Sequence, residues 1–166
     1  MSSYTELKAY INGYWDNLRV INTMESRLHL GLPHPYYVSS SESTDRFSFP
    51  YMFYWDSYFI AQGLFGTNRQ AHVLELANNM FDLIERFGFM PSSNSFAHLS
   101  RSQPPMLSRL VMQLVNADDQ KLDNKWLERA YRAIKTELET CWYGVEHPHN
   151  RKVHSGLSRY LSLIHI

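Results

Sequence analysis

A chain of 166 residues with 16 basic and 16 acidic side chains has no formal net charge. That argues against nucleic acid as the main partner, since phosphate binding needs a basic surface. Its 44% apolar content excludes disorder, its apolar runs are too short to span a membrane, and its single Cys141 excludes an internal disulfide or a cysteine-based metal site.

The opening Met1-Ser2-Ser3-Tyr4 lacks a basic region followed by an apolar run, so no signal peptide is expected and a cytoplasmic setting is the default. Leu7, Ile11, Tyr14, Leu18 and Ile21 recur at helical spacing and predict an amphipathic helix. From Gly31 to Phe53 the pattern stops, because Pro33, Pro35 and Pro50 block helix interiors. So long an irregular stretch is unusual in a compact domain unless it is functional. Trp55 to Leu64 predicts a short apolar helix ended by Gly66. Val73, Leu76, Ala77, Met80, Ile84 and Phe87 mark one face of a longer helix stopped by Gly88. Phe89 to Gln103 reads as a second loop, and Pro104 and Pro105 as a helix start continued by Leu107, Leu110, Val111 and Leu114. Asp123 is placed to cap the next helix, whose buried stripe is expected to be Leu127, Ala130, Tyr131, Ile134, Leu138, Cys141 and Trp142. Gly144 to Arg159 reads as polar loop, and no strand alternation of useful length occurs.

Two stretches carry chemistry. Arg101-Ser102-Gln103-Pro104-Pro105 holds an arginine and an amide on one stiff loop. Arginine offers a fixed fork of donors, and glutamine both donor and acceptor, which suits a neutral polyol gripped from several sides. Upstream, Tyr54-Trp55-Asp56-Ser57-Tyr58-Phe59 pairs aromatic faces with a carboxylate. A sugar needs just such a flat apolar surface and a hydroxyl acceptor. The plainer reading is a core tryptophan, a capping aspartate and a surface arginine.

Together the two motifs resemble the trehalase family of glycoside hydrolases, over about Leu32 to Tyr160. The densest parts are Leu32-Pro33-His34-Pro35-Tyr36, the Tyr54-Trp55-Asp56 stretch, and Phe87 to Pro105, with a weaker echo in Gly156 to Tyr160. The resemblance implies an all-α (α/α)6 barrel, two concentric rings of helices with the site in the loops at one end. This chain would supply roughly the first five of its helices, and residues 1–160 would be the N-terminal portion of the catalytic domain. The last six residues, 161–166, look like a translated sequencing adapter and are set aside as a non-native tail.

The implied activity is inverting hydrolysis of trehalose to two glucose molecules, without a cofactor. Its partners would be a small neutral disaccharide and the remainder of the chain's own catalytic domain, with no nucleic acid and no membrane. The implied sugar contacts are Arg46, Phe47, Tyr54, Trp55, Asp56, Ser92, Asn94, Arg101 and Gln103. In the family both catalytic carboxylates lie downstream of the Arg159-Tyr160 region, so no catalytic residue is expected in this chain and the chain alone should be inactive. Asp45, Glu42 and Glu146 read as solvated loop charges.

Two departures stand out. Phe47 and Tyr54 are separated by a longer spacer than in the best-known members, which puts the transfer of Arg46 in doubt. The family loop Pro-Asn-Gly-Asn-Arg is here Pro91-Ser92-Ser93-Asn94-Ser95, so the substrate-contacting asparagine is replaced by Ser92, unless Asn94 swings in. A sister glycosidase acting on another α-glycoside, such as a glycosyl-glycerate or short α-glucan, is therefore the alternative. A non-catalytic helical scaffold is a third reading, but it calls for fixed-period repeats that the chain lacks. His147-Pro148-His149 is a thin metal signal, His34 reads as loop packing, and His98 is a possible ligand contact.

Overall fold

The computed structural model describes residues 3–40, 49–117, 122–143 and 157–158. Among these the order is α1 (Ser3–Leu18), β1 (Arg19–Val20), β2 (Tyr36–Tyr37), α2 (Tyr54–Leu64), α3 (Ala71–Phe87), α4 (Leu107–Asn116) and α5 (Asn124–Thr136). A single 3-10 turn covers Phe96–His98, and α5 widens into a π-helical run at Glu137–Trp142. The strands are antiparallel, pairing Arg19 with Tyr37 and Val20 with Tyr36.

The middle of the fold is α3, which packs against α2, α4 and α5. Its expected face is fully buried at Val73, Leu76, Ala77, Met80 and Ile84. The helix stops where expected, because Gly88 takes up φ +74° and its N–H turns back to the Ile84 carbonyl. Any residue with a Cβ is strained in that left-handed region. Leu107, Leu110, Val111 and Leu114 of α4 face the same core. Asp123 caps α5 by accepting from the Trp126 N–H at 2.8 Å.

Three expectations need correction. First, α1 forms but does not bury its stripe: Leu7 is 55% exposed, Ile11 is also exposed, and Ile21 lies beyond the helix end. Only its last turns touch the core, through Trp15 and Leu18. Second, the stripe of α5 forms only in part. Ala130, Cys141 and Trp142 are buried as expected and Ile134 and Leu138 half-buried, but Leu127 and Tyr131 are exposed, while Ala133 and Glu137 take buried places beside the stripe. Third, α4 begins at Leu107, so Pro104 and Pro105 precede the helix instead of opening it. The Gly144–Arg159 segment, apart from Leu157 and Ser158, and the 161–166 tail lie outside the described residues.

The irregular segments are held by an improvised ladder. The Tyr54 N–H donates to the Ser92 carbonyl at 3.0 Å, and the Asn94 N–H to the Met52 carbonyl at 3.3 Å. On the other side the Leu30 N–H donates to the Asn94 carbonyl at 2.9 Å, and the Phe96 N–H to Leu28 at 3.3 Å. Residues 92–96 thus run as a central extended segment between two flanking ones. Buried backbone polar groups demand partners, and here loops supply them to one another.

Candidate functional site

The N-termini of α2 and α4 meet, and each helix caps the other. The Gln103 Oε1, in the loop before α4, accepts from the Trp55 N–H at 2.9 Å. The Tyr54 hydroxyl, in the first turn of α2, accepts from the Leu107 N–H at 2.8 Å. The first N–H groups of a helix have no partner within it, so each helix removes an orphan from the other. The exchange fixes the Arg101–Gln103 loop beside the Trp55–Asp56 pair.

Trp55 is 44% exposed and stands edge-on to Phe59, with ring centroids 6.4 Å apart. It lines an open groove of about 410 Å³ with Trp15, Val38, Ser39, Asp56 and Phe59. Asp56, in the first turn of α2, accepts from the Ser39 hydroxyl at 3.0 Å. A carboxylate there is favoured by the helix dipole. The groove therefore offers an apolar indole surface beside an oriented acceptor.

Arg101 is exposed, and its guanidinium makes no hydrogen bond or ion pair among the described residues. Gln103 has spent its oxygen on Trp55, and its Nε2 has no partner among the described residues. The loop thus presents donors. His98 lies under it: its Nδ1 is 2.6 Å from the Ser93 hydroxyl, and its ring packs against Tyr51 and Phe53. Burial, and then the charge of Arg101, lower the pKa of His98 below the ordinary imidazole range. It stays neutral beside the arginine at neutral pH.

Three expected contacts are turned inward. Tyr54 has no exposed surface, so it offers no face to a sugar. Its hydroxyl donates to the Glu137 Oε2 at 3.0 Å. Asn94 is fully buried: its Oδ1 accepts from the Met52 N–H at 2.7 Å and its Nδ2 donates to the Leu30 carbonyl at 3.0 Å. Asn94 does not swing toward the groove, because both ends of its amide are occupied by the ladder. Ser92 is buried and donates to the His98 carbonyl at 3.3 Å. Arg46 and Phe47 lie outside the described residues, as do Glu42, Asp45, Glu146, His147 and His149. The backbone of His34 is held by Asn79: its N–H donates to Asn79 Oδ1 at 3.0 Å.

Glu137 went unforeseen. It is 3% exposed, and burial pushes its carboxyl up to about 7, with the Tyr54 hydrogen bond pulling the other way. Tyr54 is in turn raised, first by burial and then by the neighbouring Glu137. A signal was present in the chain: Ala130, Ala133, Glu137 and Cys141 share one helical face, and a carboxylate there is conspicuous. Among the described residues no group of three or more His, Cys, Asp or Glu is placed to hold a metal, and no helix is long and apolar enough to cross a membrane.

The helical arrangement matches part of an (α/α)6 barrel fold: it superposes on neutral trehalase from Saccharomyces cerevisiae with a TM-score of 0.64 at 23% identity, covering 91% of this chain and 28% of that one. The family model described as Trehalase matches residues 3–163, and the chain belongs to that family. It is 37% identical over 90 residues to a trehalase of Tenebrio molitor, covering 54% of this chain and 16% of that protein. It is 30% identical over 125 residues to a periplasmic trehalase of Xanthomonas campestris, covering 74% and 21%. The chain therefore spans about a fifth of the length of these curated relatives. A periplasmic protein among them means that family membership alone carries no cellular location.

Proposed function

We propose that this chain supplies the sugar-gripping loops of an inverting glycoside hydrolase that splits trehalose into two glucose molecules. The observation that carries the reading is the mutual capping of α2 and α4, which sets the Gln103 amide at Trp55, next to Asp56, with Arg101 two residues before it on the same loop. In this reading the indole covers the C–H face of a glucose ring. Asp56 accepts from its hydroxyls, and Arg101 and Gln103 Nε2 donate to others. Inverting hydrolysis needs a general acid and a general base about 6.5–9.5 Å apart, with water between. Among the described residues Asp56 is the only carboxylate lining the groove, and Glu137 is sealed in the core. The acid and base therefore come from the rest of the catalytic domain, which the relatives' greater length leaves room for.

A second reading, an enzyme for another α-glycoside, rests on Ser92. Its hydroxyl is committed to the His98 carbonyl, so a contact the family makes to its disaccharide is missing.

The test is glucose release by the complete open reading frame that encodes this chain, beside the chain alone. Two glucose per trehalose from the former and none from the latter is the expected result. Glucose from the chain alone would overturn the division of labour. Faster cleavage of a glycosyl-glycerate or maltose than of trehalose would establish the second reading.

A further inference from the structure

We propose that Glu137 is a positioning residue, holding the Arg101–Gln103 loop against the N-terminus of α2 through the Tyr54 hydroxyl. The inference rests on the sugar-site reading above for its consequence in catalysis, but not for the linkage itself.

The linkage is a chain of three groups. Glu137 Oε2 accepts from the Tyr54 hydroxyl at 3.0 Å, and the Tyr54 oxygen in turn accepts from the Leu107 N–H at 2.8 Å. All three residues are buried. A hydroxyl has one proton and rotates to suit its surroundings. With a fixed acceptor on one side, its lone pairs stay aimed at Leu107. Without one, the proton would have to find another partner in a site that has no water-exposed surface. A hydrogen bond also polarises the next in the series, so the Glu137 acceptor strengthens the Tyr54–Leu107 bond.

Leu107 is linked stiffly to the site. Between it and Gln103 lie Pro104, Pro105 and Met106, with both prolines fixed in φ and the Met106 N–H closed onto the Pro104 carbonyl at 2.9 Å. A shift of Leu107 therefore displaces the Gln103 amide from Trp55 and swings Arg101 with it. The position of Glu137 in the chain fits this role. It opens the π-helical run, where the wider turn alters the direction of the side chains, a distortion that recurs at functional sites.

The experiment compares Glu137→Gln, Glu137→Leu and Tyr54→Phe in the complete open reading frame, reading backbone amide exchange at Leu107 and Trp55 together with kcat/KM for trehalose. Glutamine keeps an oxygen acceptor for Tyr54, so E137Q should retain both amides' protection and stay within about twofold of wild-type kcat/KM. E137L and Y54F should release Leu107 and Trp55 selectively, ahead of the α3 amides, and lower kcat/KM about tenfold. A merely structural pair would loosen all helices alike. If E137L does not fold, Y54F, which keeps the carboxylate and cuts the link, carries the same expectation. Unchanged protection of Trp55 in Y54F, or E137Q as damaging as E137L, would overturn the proposal. Selective release of these amides in a protein that yields no glucose from trehalose would confirm the linkage and overturn the hydrolase reading instead.

Discussion

The Gln103 Oε1 accepts from the Trp55 backbone N–H at 2.9 Å, so the Arg101–Pro105 loop and the Tyr54–Asp56 turn are joined directly although these two residues lie 48 positions apart in the chain. The oxygen of this side chain serves the fold, and the nitrogen remains for a ligand. Gln103→Glu keeps the oxygen and should hold its melting temperature while lowering kcat/KM roughly three- to tenfold, the worth of one neutral donor. Gln103→Ala should lose both, with about 1 kcal/mol of stability gone as for a missing helix cap. Paired melting curves and kinetics separate the two atoms. Equal melting losses in both variants would assign the whole side chain to the fold.

Arg101 should behave in the opposite way. It is exposed and unpaired among the described residues, so Arg101→Ala should leave the melting temperature almost unchanged. Removing a charged donor from a sugar-filled site costs about 1.5–3 kcal/mol, or roughly ten- to hundred-fold in kcat/KM. Arg101→Lys should restore little, because the planar fork is lost. Wild-type kinetics in Arg101→Ala would return this residue to the solvated surface.

Asn94 is expected to be a stability residue alone. Asn94→Ala strands the Met52 N–H and the Leu30 carbonyl in the interior, at about 1–3 kcal/mol each. Asn94→Asp should be no milder, since it sets a carboxylate oxygen against the Leu30 carbonyl. Urea unfolding midpoints measure the loss. A variant of normal stability with a raised KM would place Asn94 at the ligand instead.

Burial of Glu137 gives the fold a pH dependence of defined sign. Its carboxyl titrates near about 7 in the fold, whereas an ordinary glutamate titrates at 4.5. Between those values the unfolded chain has released the proton and the fold retains it. Stability is therefore lost as pH rises through this window, by about 3 kcal/mol in full at about 1.4 kcal/mol per unit. Glu137→Gln removes the titration, so its advantage over wild type should be absent at about pH 4 and grow to its full size at about pH 8. Denaturation at the two pH values checks it. A difference that stays constant, or shrinks as pH rises, would show that Glu137 keeps an ordinary carboxylate pKa in the fold.

The chain by itself determined what depends on neighbours close in sequence. The buried face of α3, its stop at Gly88 and the Asp123 cap follow from helical periodicity and local dihedral preference, and they form as read. The Arg101 to Pro105 and Tyr54 to Asp56 motifs pointed to the family for the same reason, since each is a short run of residues with its own chemistry. Only the tertiary structure decided which apolar faces are covered. The stripes of α1 and α5 are equally periodic, yet Leu7 and Tyr131 remain exposed while Ala133 and Glu137 face inward. Periodicity fixes that a helix has a face, and the packing of other elements fixes where that face points. The same holds at the site. Tyr54, Ser92 and Asn94 read as sugar contacts by position, but backbone groups claim them: Asn94 serves the loop ladder, Ser92 the His98 carbonyl of its own loop, and the Tyr54 hydroxyl the Leu107 N–H at the start of α4.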